Sequence, residues 1–340
     1  MRVLFHCEQL NYRGTTNSVY DYAVYNQEIL GNESVIAYSS FNPKGIDTGS
    51  APAVVEHFSK KFQLIQYDSN EHLNEIASAH DFCYSQRAGL RTDMTGQIKL
   101  PIVDSTRFGV HSVFQYHDPH GDVYAYISEW LADNVSKTYN APLHPHVPYI
   151  VDLPNPNYDL REAIGIPKNK LVFGRHGGFK TFDIPFVKNV INRIVNERDD
   201  IVFLFLNTEQ FIDHKNVIYI NPVFNKQTIS NFVNACDAML HARDLGESFG
   251  LAISEFLFFN KPVLAWDGGF DRNHIQMLKD HNCLYGANGD DEQECYDMIV
   301  DFRNRPQQDF KKIVEPFSPK NVMETFSRVF LASTPTLPLP

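Results

Sequence analysis

An alternation of short apolar runs with amphipathic stretches constrains the fold of this 340-residue chain more than any other feature of its sequence. Apolar runs of strand length predict buried β-strands, and apolar residues that return every three or four positions predict helices. Strands that alternate with helices along a chain form a parallel sheet covered on both faces. The sequence therefore predicts an α/β fold built from doubly wound, Rossmann-like parallel sheets.

The alternation begins at the amino terminus. RVLFHC at 2–7 predicts a strand, and 16–30 predicts a helix that Gly31 ends in the usual position after a helix. The other strands predicted in this half are 34–39, 62–67, 81–85, 101–105 and 122–128.

A proline-rich stretch at 142–167 interrupts this pattern and predicts a join between domains. Beyond it we predict strands at 170–174, 201–206, 217–220, 238–242, 261–266 and 283–285, and a helix over 182–197. We therefore predict two Rossmann-like domains, 1–155 and 156–332, whose strands end at a central cleft, the usual binding place in open α/β sheets. The last helix is expected either within the second domain or packed back on the first, and the tail 333–340 is expected to be disordered.

Composition excludes several classes of function. A net charge of −11 and the lack of a basic run argue against nucleic acid as a partner. No apolar stretch approaches the roughly 20 residues that a membrane helix needs, and the apolar start is too short for a signal peptide. The five cysteines are scattered and odd in number, which favours reduced, buried thiols and a cytoplasmic protein.

The most informative motif is GESFGLAISE at 246–255, where a strand and loop lead into a predicted helix. A helix start offers unpaired N–H groups and the positive end of its dipole, which suit a diphosphate. Gly250 leaves room for a ligand to approach the backbone. Glu247 and Glu255 are expected about 10 Å apart, so that one could hold the transferred sugar and the other a ribose. The alternative is a surface loop in which Glu247 interacts with the amino end of the helix dipole and Glu255 is a solvated helix residue.

The spacing Glu247-x7-Glu255 resembles the signature of retaining glycosyltransferases with the GT-B fold, family 4 in particular. The resemblance covers most of 1–330 and is specific over 170–265. It implies that Glu247 is a catalytic residue against the donor sugar and that Glu255 holds the ribose. It also implies that the amides between them face phosphate and sugar, namely those of Ser248, Phe249, Gly250 and Leu251.

Two cations are predicted to do the work of a metal ion. The chain has no convincing DxD metal motif, and the acidic run at 290–292 lies in a predicted helix. Arg175 and Lys180 stand five apart across a pair of glycines at the end of a predicted strand. Fixed cations stabilise the negative charge that develops on a leaving diphosphate. Their spacing resembles the Arg/Lys diphosphate clamp of the same family, so no metal and no cofactor are expected; the alternative is surface charge on a loop.

The stretch 221–242 also resembles the family, which wraps the nucleobase there and reads it through backbone atoms. Val223 and Phe224 are the candidates for this contact. Because backbone atoms carry no side-chain code, uracil and guanine are both left open.

In the first domain, RGTTNSVY follows the first strand and resembles the glycine loop of GT-B enzymes, which implies that Gly14 and Thr15 contact the donor. An ordinary helix cap is the alternative. GT-B relatives also place a histidine near the transferred sugar. Alignment favours His111 for this role, with His120 as its competitor. Structural histidines, or a zinc site formed with His117, are the alternatives.

Together these features predict a glycosyltransferase that moves a sugar from a UDP- or GDP-sugar to a glycan or another hydroxyl acceptor, with retention. A GT-B epimerase and a non-catalytic nucleotide- or carbohydrate-binding protein are the alternatives. The acceptor is not specified, because variable loops of the first domain are expected to bind it. Whether the chain forms a homo-oligomer is also left open.

Overall fold

The structure is a computed structural model of the whole chain. It describes residues 1–39, 49–93, 95–96, 99–286 and 289–332. Contacts divide the chain into two compact units, Met1–Ile150 with Phe317–Pro340, and Val151–Pro316. The division therefore falls at Ile150 rather than at the expected residue 155, and the chain from Phe317 onward joins the first unit. The tail 333–340, which the sequence predicts to be disordered, lies outside the described residues.

The first unit is built on a parallel six-stranded sheet in the order β3-β2-β1-β4-β5-β6. Its strands are β1 (Arg2–Cys7), β2 (Glu33–Ser39), β3 (Gln63–Tyr67), β4 (Phe82–Arg87), β5 (Phe108–Ser112) and β6 (Val123–Tyr126). Its helices before the division are α1 (Gly14–Glu28), α2 (Pro52–Ser59), α3 (Asn70–Ala77) and α4 (Glu129–Tyr139). The strands β4, β5 and β6 are buried along their whole length, as expected for a sheet covered on both faces.

One predicted strand of this unit, 101–105, is wrong, because the next strand is β5. The backbone of this segment bonds to side chains of α3 instead of a neighbouring strand. Asn74 Nδ2 donates to the Ile102 carbonyl at 2.9 Å, and the Asp104 amide donates to Asn74 Oδ1 at 2.9 Å. Pro101 adds a position without an N–H. Within the segment only Val103 is buried, and Asp104 and Ser105 are exposed, so its short apolar run does not form a core strand.

The second unit repeats this plan. Its parallel six-stranded sheet has the order β14-β12-β10-β7-β8-β9, and a separate two-stranded sheet pairs β11 with β13. The strands are β7 (Leu171–His176), β8 (Ile201–Leu206), β9 (Val217–Ile220), β10 (Ala238–His241), β11 (Gly246–Glu247), β12 (Val263–Trp266), β13 (Asp271–Arg272) and β14 (Leu284–Tyr285). The helices are α5 (Leu160–Ala163), α6 (Pro185–Glu197), α7 (Lys226–Ala235), α8 (Leu251–Phe258), α9 (Asn273–Leu278), α10 (Asp291–Val300) and α11 (Lys311–Val314).

The carboxyl-terminal helix α12 (Pro319–Phe326), with a π-helical turn over Ser327–Leu331, packs in the first unit. Phe326 stacks on Tyr22 with ring centroids 5.1 Å apart and also meets Tyr84 at 5.3 Å. These are fully buried aromatic side chains, so α12 closes the core of the first unit.

The two sheets share one strand order, since the second reads β9-β8-β7-β10-β12-β14 from its other edge. In both, the chain starts in the middle of the sheet, builds outward to one edge and then returns to build the other. The reversal occurs between β1 and β4 in the first unit and between β7 and β10 in the second. Open α/β sheets bind ligands at the carboxyl ends of the strands beside such a reversal.

Candidate functional site

Glu247 is the second residue of the short strand β11, and its first position, Gly246, accepts only glycine. Gly246 has a φ of +76°, and a Cβ there would lie 2.0 Å from the Asp271 carbonyl oxygen of the paired strand β13. A backbone oxygen cannot move aside as a flexible side chain can, so any other residue would displace β11. Gly246 therefore fixes the path that carries Glu247 past the carboxyl end of β10.

Two basic side chains hold the Glu247 carboxylate. His241 Nε2 lies 3.0 Å from Oε1, and Arg243 donates from a terminal nitrogen to Oε2 at 3.1 Å. Burial raises the pKa of Glu247, but Arg243 and His241 outweigh it and lower the pKa to about 2. Glu247 is thus a fixed carboxylate at any physiological pH, and it cannot act as a proton donor.

A second histidine lies next to His241. His274 is buried beside His241, with ring centroids 5.4 Å apart, and its Nε2 lies 3.1 Å from the Trp266 carbonyl oxygen. A carbonyl only accepts, so Nε2 carries the proton. Burial and then His241 lower the pKa of His274 to about 4. The ring is therefore neutral at pH 7 and adds no charge beside Glu247.

The helix α8 begins directly after this carboxylate. Its N-cap is Gly250, which adopts a left-handed conformation with a φ of +94° and has no side-chain cap. Phe249 is buried, and Asn273 Nδ2 donates to its carbonyl at 2.6 Å. Ser248 and Leu251 are half-buried on either side of the turn. The first amides of a helix lack intrahelical partners, so this turn can receive an anion.

Glu255 lies on the buried face of α8, not in solvent. It is 7% exposed, and its Oε2 lies 3.0 Å from Nε2 of His176, the last residue of β7. That distance allows an ion pair, although the two groups are not aligned as a hydrogen bond. The solvated-helix alternative considered for Glu255 is therefore wrong.

Arg175, one residue earlier on β7, is buried and turned into its own loop. One terminal nitrogen donates to Thr208 Oγ1 at 2.7 Å and to the Asn207 carbonyl at 3.2 Å. The other donates to Thr181 Oγ1 at 2.6 Å and to the Gly178 carbonyl at 2.8 Å. The guanidinium therefore fastens the loop after β7 to the loop after β8, which surface charge would not do.

Arg175 and Glu247 belong to the same region of the second unit. Burial lowers the pKa of Arg175 to about 10, and Glu247 is the leading group that opposes this effect. The loop after β7 and the loop after β10 are also joined directly, because the Asp183 amide donates to the Ala242 carbonyl at 2.9 Å. Lys180 is exposed on the loop after β7 and has no hydrogen-bond or ion-pair partner among the described residues.

The nucleobase candidates lie farther along the same edge. Val223 and Phe224 are half-buried in the loop between β9 and α7. Because β8 separates β9 from β7, this loop stands two strands away from Arg175.

The predicted glycine loop of the first unit is a helix start. Gly14 is the first residue of α1, Thr15 is half-buried in its first turn, and the N-cap is Arg13, with no side-chain hydrogen bond. The ordinary side-chain cap that was the alternative for this motif therefore does not form. It is Thr16 whose hydroxyl bonds to the loop, donating to the Gln9 carbonyl at 3.2 Å.

His111, the histidine that alignment favours, is fully buried in β5. Its Nδ1 lies 2.7 Å from the Tyr84 hydroxyl, and its Nε2 lies 3.2 Å from the Tyr126 carbonyl oxygen. Burial lowers the pKa of His111 to about 3, so the ring is neutral. Both nitrogens are engaged in the core, and the ring presents no surface to a substrate.

His120 lies in the loop between β5 and β6 and is half-buried. Its Nδ1 lies 2.7 Å from the Asp118 carbonyl oxygen, which makes Nδ1 the protonated nitrogen of the neutral ring. Its Nε2 is buried and has no hydrogen-bond partner among the described residues. Of the two predicted histidines, only His120 keeps a ring nitrogen available.

The motifs missed His241, Arg243, His274 and His176, which surround the two glutamates. His241 and Arg243 lie in HARDLGE, immediately before Glu247, and His176 adjoins Arg175, so their positions were visible but their contacts were not. Within the described ranges, no group of three or more His, Cys, Asp or Glu side chains is placed to hold a metal ion, so the histidine zinc site does not form.

The cysteines and the lengths of the helices complete the description of the described residues. All five cysteines are buried and unpaired, as expected. Where the chain is described, none of its helices has both the length and the apolar character needed to cross a membrane.

No family model and no curated protein matches the sequence. Solved structures do match the fold. HepE of Anabaena, in complex with UDP and glucose, superposes with a TM-score of 0.71 at 12% identity, over 98% of this chain and 100% of that one. A glycosyltransferase of Rickettsia africae gives 0.67 at 13% identity, over 98% and 99%. Sucrose-phosphate synthase of Thermosynechococcus elongatus gives 0.66 at 9% identity, over 96% and 98%.

These similarities, together with two parallel six-stranded sheets of one strand order, define the fold as that of the GT-B glycosyltransferases. The predicted fold class is thereby confirmed.

Proposed function

We propose that this chain is a glycosyltransferase that binds a nucleotide-diphosphate sugar on its second unit and transfers the sugar to a hydroxyl acceptor. The observation that carries the proposal is the Glu247 carboxylate, held ionised by His241 and Arg243 directly before the amino end of α8. The fold neighbour HepE binds UDP and glucose, and we propose a UDP-sugar as the donor of this chain.

The phosphates are proposed to lie against the α8 amides and Lys180. The exposed Lys180 ammonium is the cation that can approach a ligand, whereas Arg175 has both terminal nitrogens engaged by loop oxygens. We therefore assign Arg175 to positioning: it fixes the loop that carries Lys180 and adds positive potential behind it. The donor then needs no metal ion, because fixed positive charge faces the leaving diphosphate.

Glu247 is proposed to contact the donor sugar. A carboxylate that already accepts from His241 and Arg243 still has lone pairs for sugar hydroxyls. Its negative charge also favours the positive charge that develops on the sugar ring as the glycosidic bond breaks. A carboxylate with a pKa of about 2 is a very weak base, so we propose that another group takes the acceptor's proton. The leaving phosphate oxygen is the group that the family resemblance implies.

Glu255 is proposed to hold the ribose, with His176 orienting its carboxylate. Val223 and Phe224 are proposed to contact the base through the loop after β9. Retention of configuration and likeness to family 4 complete the proposal and rest on the resemblance of Glu247-x7-Glu255.

The decisive measurement compares Glu247→Gln with wild type for turnover of UDP-glucose and other UDP- and GDP-sugars. We expect the rate of donor cleavage to fall about 10²–10³-fold with UDP affinity nearly unchanged, because the carboxylate acts on the sugar and not on the nucleotide.

Glu197→Gln is the matched control, since Glu197 also pairs with an arginine four residues earlier but lies at the end of α6. We expect it to keep wild-type turnover. UDP binding without turnover of any donor would identify a non-catalytic binder, and interconversion of the donor sugar without transfer would identify an epimerase. Equal loss in both variants would also contradict the proposal.

A further inference from the structure

The first unit has its own buried arginine at the reversal of its sheet. Arg87 is the last residue of β4, beside the carboxyl end of β1, and it is 6% exposed. It therefore stands where the fold of this unit would receive a ligand. The proposed donor site, which lies in the second unit, leaves Arg87 without a role.

The guanidinium of Arg87 is held rigidly on one edge and one face. Its Nε and one terminal nitrogen donate to Ser85 Oγ at 3.2 and 3.0 Å. Its central carbon lies 5.3 Å from the centre of the Phe108 ring. The position of the cation is thus fixed before any ligand arrives, which lowers the entropy cost of binding one.

A chain of hydrogen bonds behind Ser85 sets its direction. Ser85 Oγ accepts from Arg87, so its proton points to His6 Nδ1, which lies 2.7 Å away. His6 Nε2 then donates to the Tyr67 hydroxyl at 2.7 Å. Burial and then Arg87 lower the pKa of His6 to about 3, so the ring is neutral and contributes no charge. None of the three hydrogen-bonded side chains, Ser85, His6 and Tyr67, carries a negative charge that would compensate the charge of Arg87.

The second terminal nitrogen of Arg87 is buried and has no hydrogen-bond partner in the described part of the chain. No described carboxylate forms an ion pair with it. Burial lowers the pKa of Arg87, and Glu8, after β1, opposes this effect without forming an ion pair. Buried cations in proteins are normally paired, and buried donors are normally satisfied. In a chain with a net charge of −11, an unpaired buried guanidinium calls for an external anion.

His120 Nε2 is a second unsatisfied buried atom of the first unit, on a ring within electrostatic range of Arg87. It is buried without a partner among the described residues, and Arg87 adds to the effect of burial in lowering the pKa of His120. The hydroxyl of an anion bound beside Arg87 could donate a hydrogen bond to Nε2, the unprotonated nitrogen of the neutral ring.

We propose that Arg87 binds an oxyanion, a phosphate or a carboxylate, carried by the acceptor, and that His120 accepts a hydrogen bond from the same molecule. A guanidinium fork suits both oxyanions, because two parallel N–H groups match two oxygens. The inference rests on the proposed function, since it assigns to the first unit the acceptor of the transferase, and it defines that acceptor as an anionic sugar or polyol.

The test is calorimetric titration of the full chain, saturated with UDP so that the donor site is filled, at constant ionic strength. The probes are inorganic phosphate, glucose 6-phosphate, glucuronate and neutral glucose. We expect saturable binding of phosphate and glucose 6-phosphate, or of glucuronate, and at least tenfold weaker binding of glucose. The arm that binds identifies phosphate or carboxylate as the group. Wild-type protein that binds no oxyanion more tightly than glucose overturns the inference.

Variants then locate the site. Arg87→Met should abolish anion binding, and Arg87→Lys, which keeps the charge but loses the fork, should weaken it about tenfold. Arg107→Met is the matched control. Arg107 also lies over a phenylalanine ring, Phe82, at 5.4 Å, but it stands at the amino end of β5, whereas Arg87 stands at the carboxyl end of β4. It should bind anions as wild type does. Unchanged anion binding in both Arg87 variants overturns the inference.

The failure of this inference differs from the failure of the proposed function. A protein that binds UDP but no oxyanion loses only the anionic acceptor. A protein that binds an oxyanion through Arg87 but neither UDP nor GDP loses the transferase.

Discussion

Two buried arginines, each on a strand that flanks the reversal of its sheet, show how the two units differ. Arg175 is the last residue but one of β7, and Arg87 ends β4, which lies on the other side of the equivalent reversal in the first unit. Arg175 places four hydrogen bonds on loop oxygens, and the charge of Glu247 opposes the lowering of its pKa by burial. Arg87 reaches only Ser85 and leaves one terminal nitrogen unpaired among the described residues.

The difference separates a cation that builds the protein from one that is left for a ligand. Satisfying a buried charge internally makes it structural, because its removal leaves its partners unpaired. A buried charge without a partner lowers the stability of the fold unless a ligand of opposite charge binds to it. Motif spacing singled out Arg175 as the phosphate ligand, whereas its contacts make it a positioning residue and leave the exposed Lys180 as the cation that can approach a ligand.

The largest expected effect comes from replacing each arginine by methionine. Arg175→Met should lower the free energy of unfolding of the second unit by about 3–5 kcal/mol, because it breaks a buried network. Arg87→Met should leave the first unit unchanged, or stabilise it by about 1 kcal/mol, because an unpaired buried charge gives way to apolar packing.

Urea unfolding can follow each unit separately, since Trp130 lies in α4 and Trp266 in β12. A Trp130→Phe background reports the second unit by fluorescence, and a Trp266→Phe background reports the first. Equal destabilisation by both substitutions would remove the distinction between the two arginines.

The next effect is acid sensitivity of the second unit. The pKa of Glu247 lies at about 2 in the folded protein, below its ordinary value of 4.5. A lowered carboxylate pKa stabilises the fold fully above pH 4.5, and this stability is lost as the pH falls towards 2. Relative to Glu247→Gln, the wild-type unit should lose roughly 3 kcal/mol between pH 5 and pH 2. Parallel pH profiles of the two proteins, read from Trp266, would show that Arg243 and His241 do not hold the carboxylate.

The smallest effect distinguishes the first unit at milder pH. The pKa of His111 is lowered from 6.5 to about 3. Between pH 6.5 and pH 3 the histidine is protonated in the unfolded chain but neutral in the folded chain. The free energy of unfolding is therefore at its full value above pH 6.5 and falls as the pH drops towards 3. Between pH 7 and pH 5 the wild-type unit should lose about 2 kcal/mol more than His111→Gln, measured by urea unfolding through Trp130. An identical loss in the variant would place the ring in contact with water and reopen it as a substrate contact.

Much of the fold could be predicted because each strand carries its own signal. The run at 201–206 is β8 residue for residue, and 217–220 is β9. The strand predicted at 101–105 does not form, because the backbone partners of this segment are side chains of α3, which no local pattern reveals. The path of the carboxyl-terminal helix was left open for a similar reason: its partners, Tyr22 and Tyr84, lie hundreds of positions away along the chain.

By itself the sequence determined the doubly wound α/β class and the place of the glutamate motif before a helix, since periodicity and glycine positions act over a few residues. Only the tertiary structure decided what each charged group does. Burial and hydrogen-bond partners come from residues far apart in the chain, and they decide whether a cation fastens a loop, as Arg175 does, or lacks an ion-pair partner among the described residues, as Arg87 does. They also enclosed His111 in the core and left one nitrogen of His120 without a hydrogen-bond partner in the described part of the chain, which spacing alone could not distinguish.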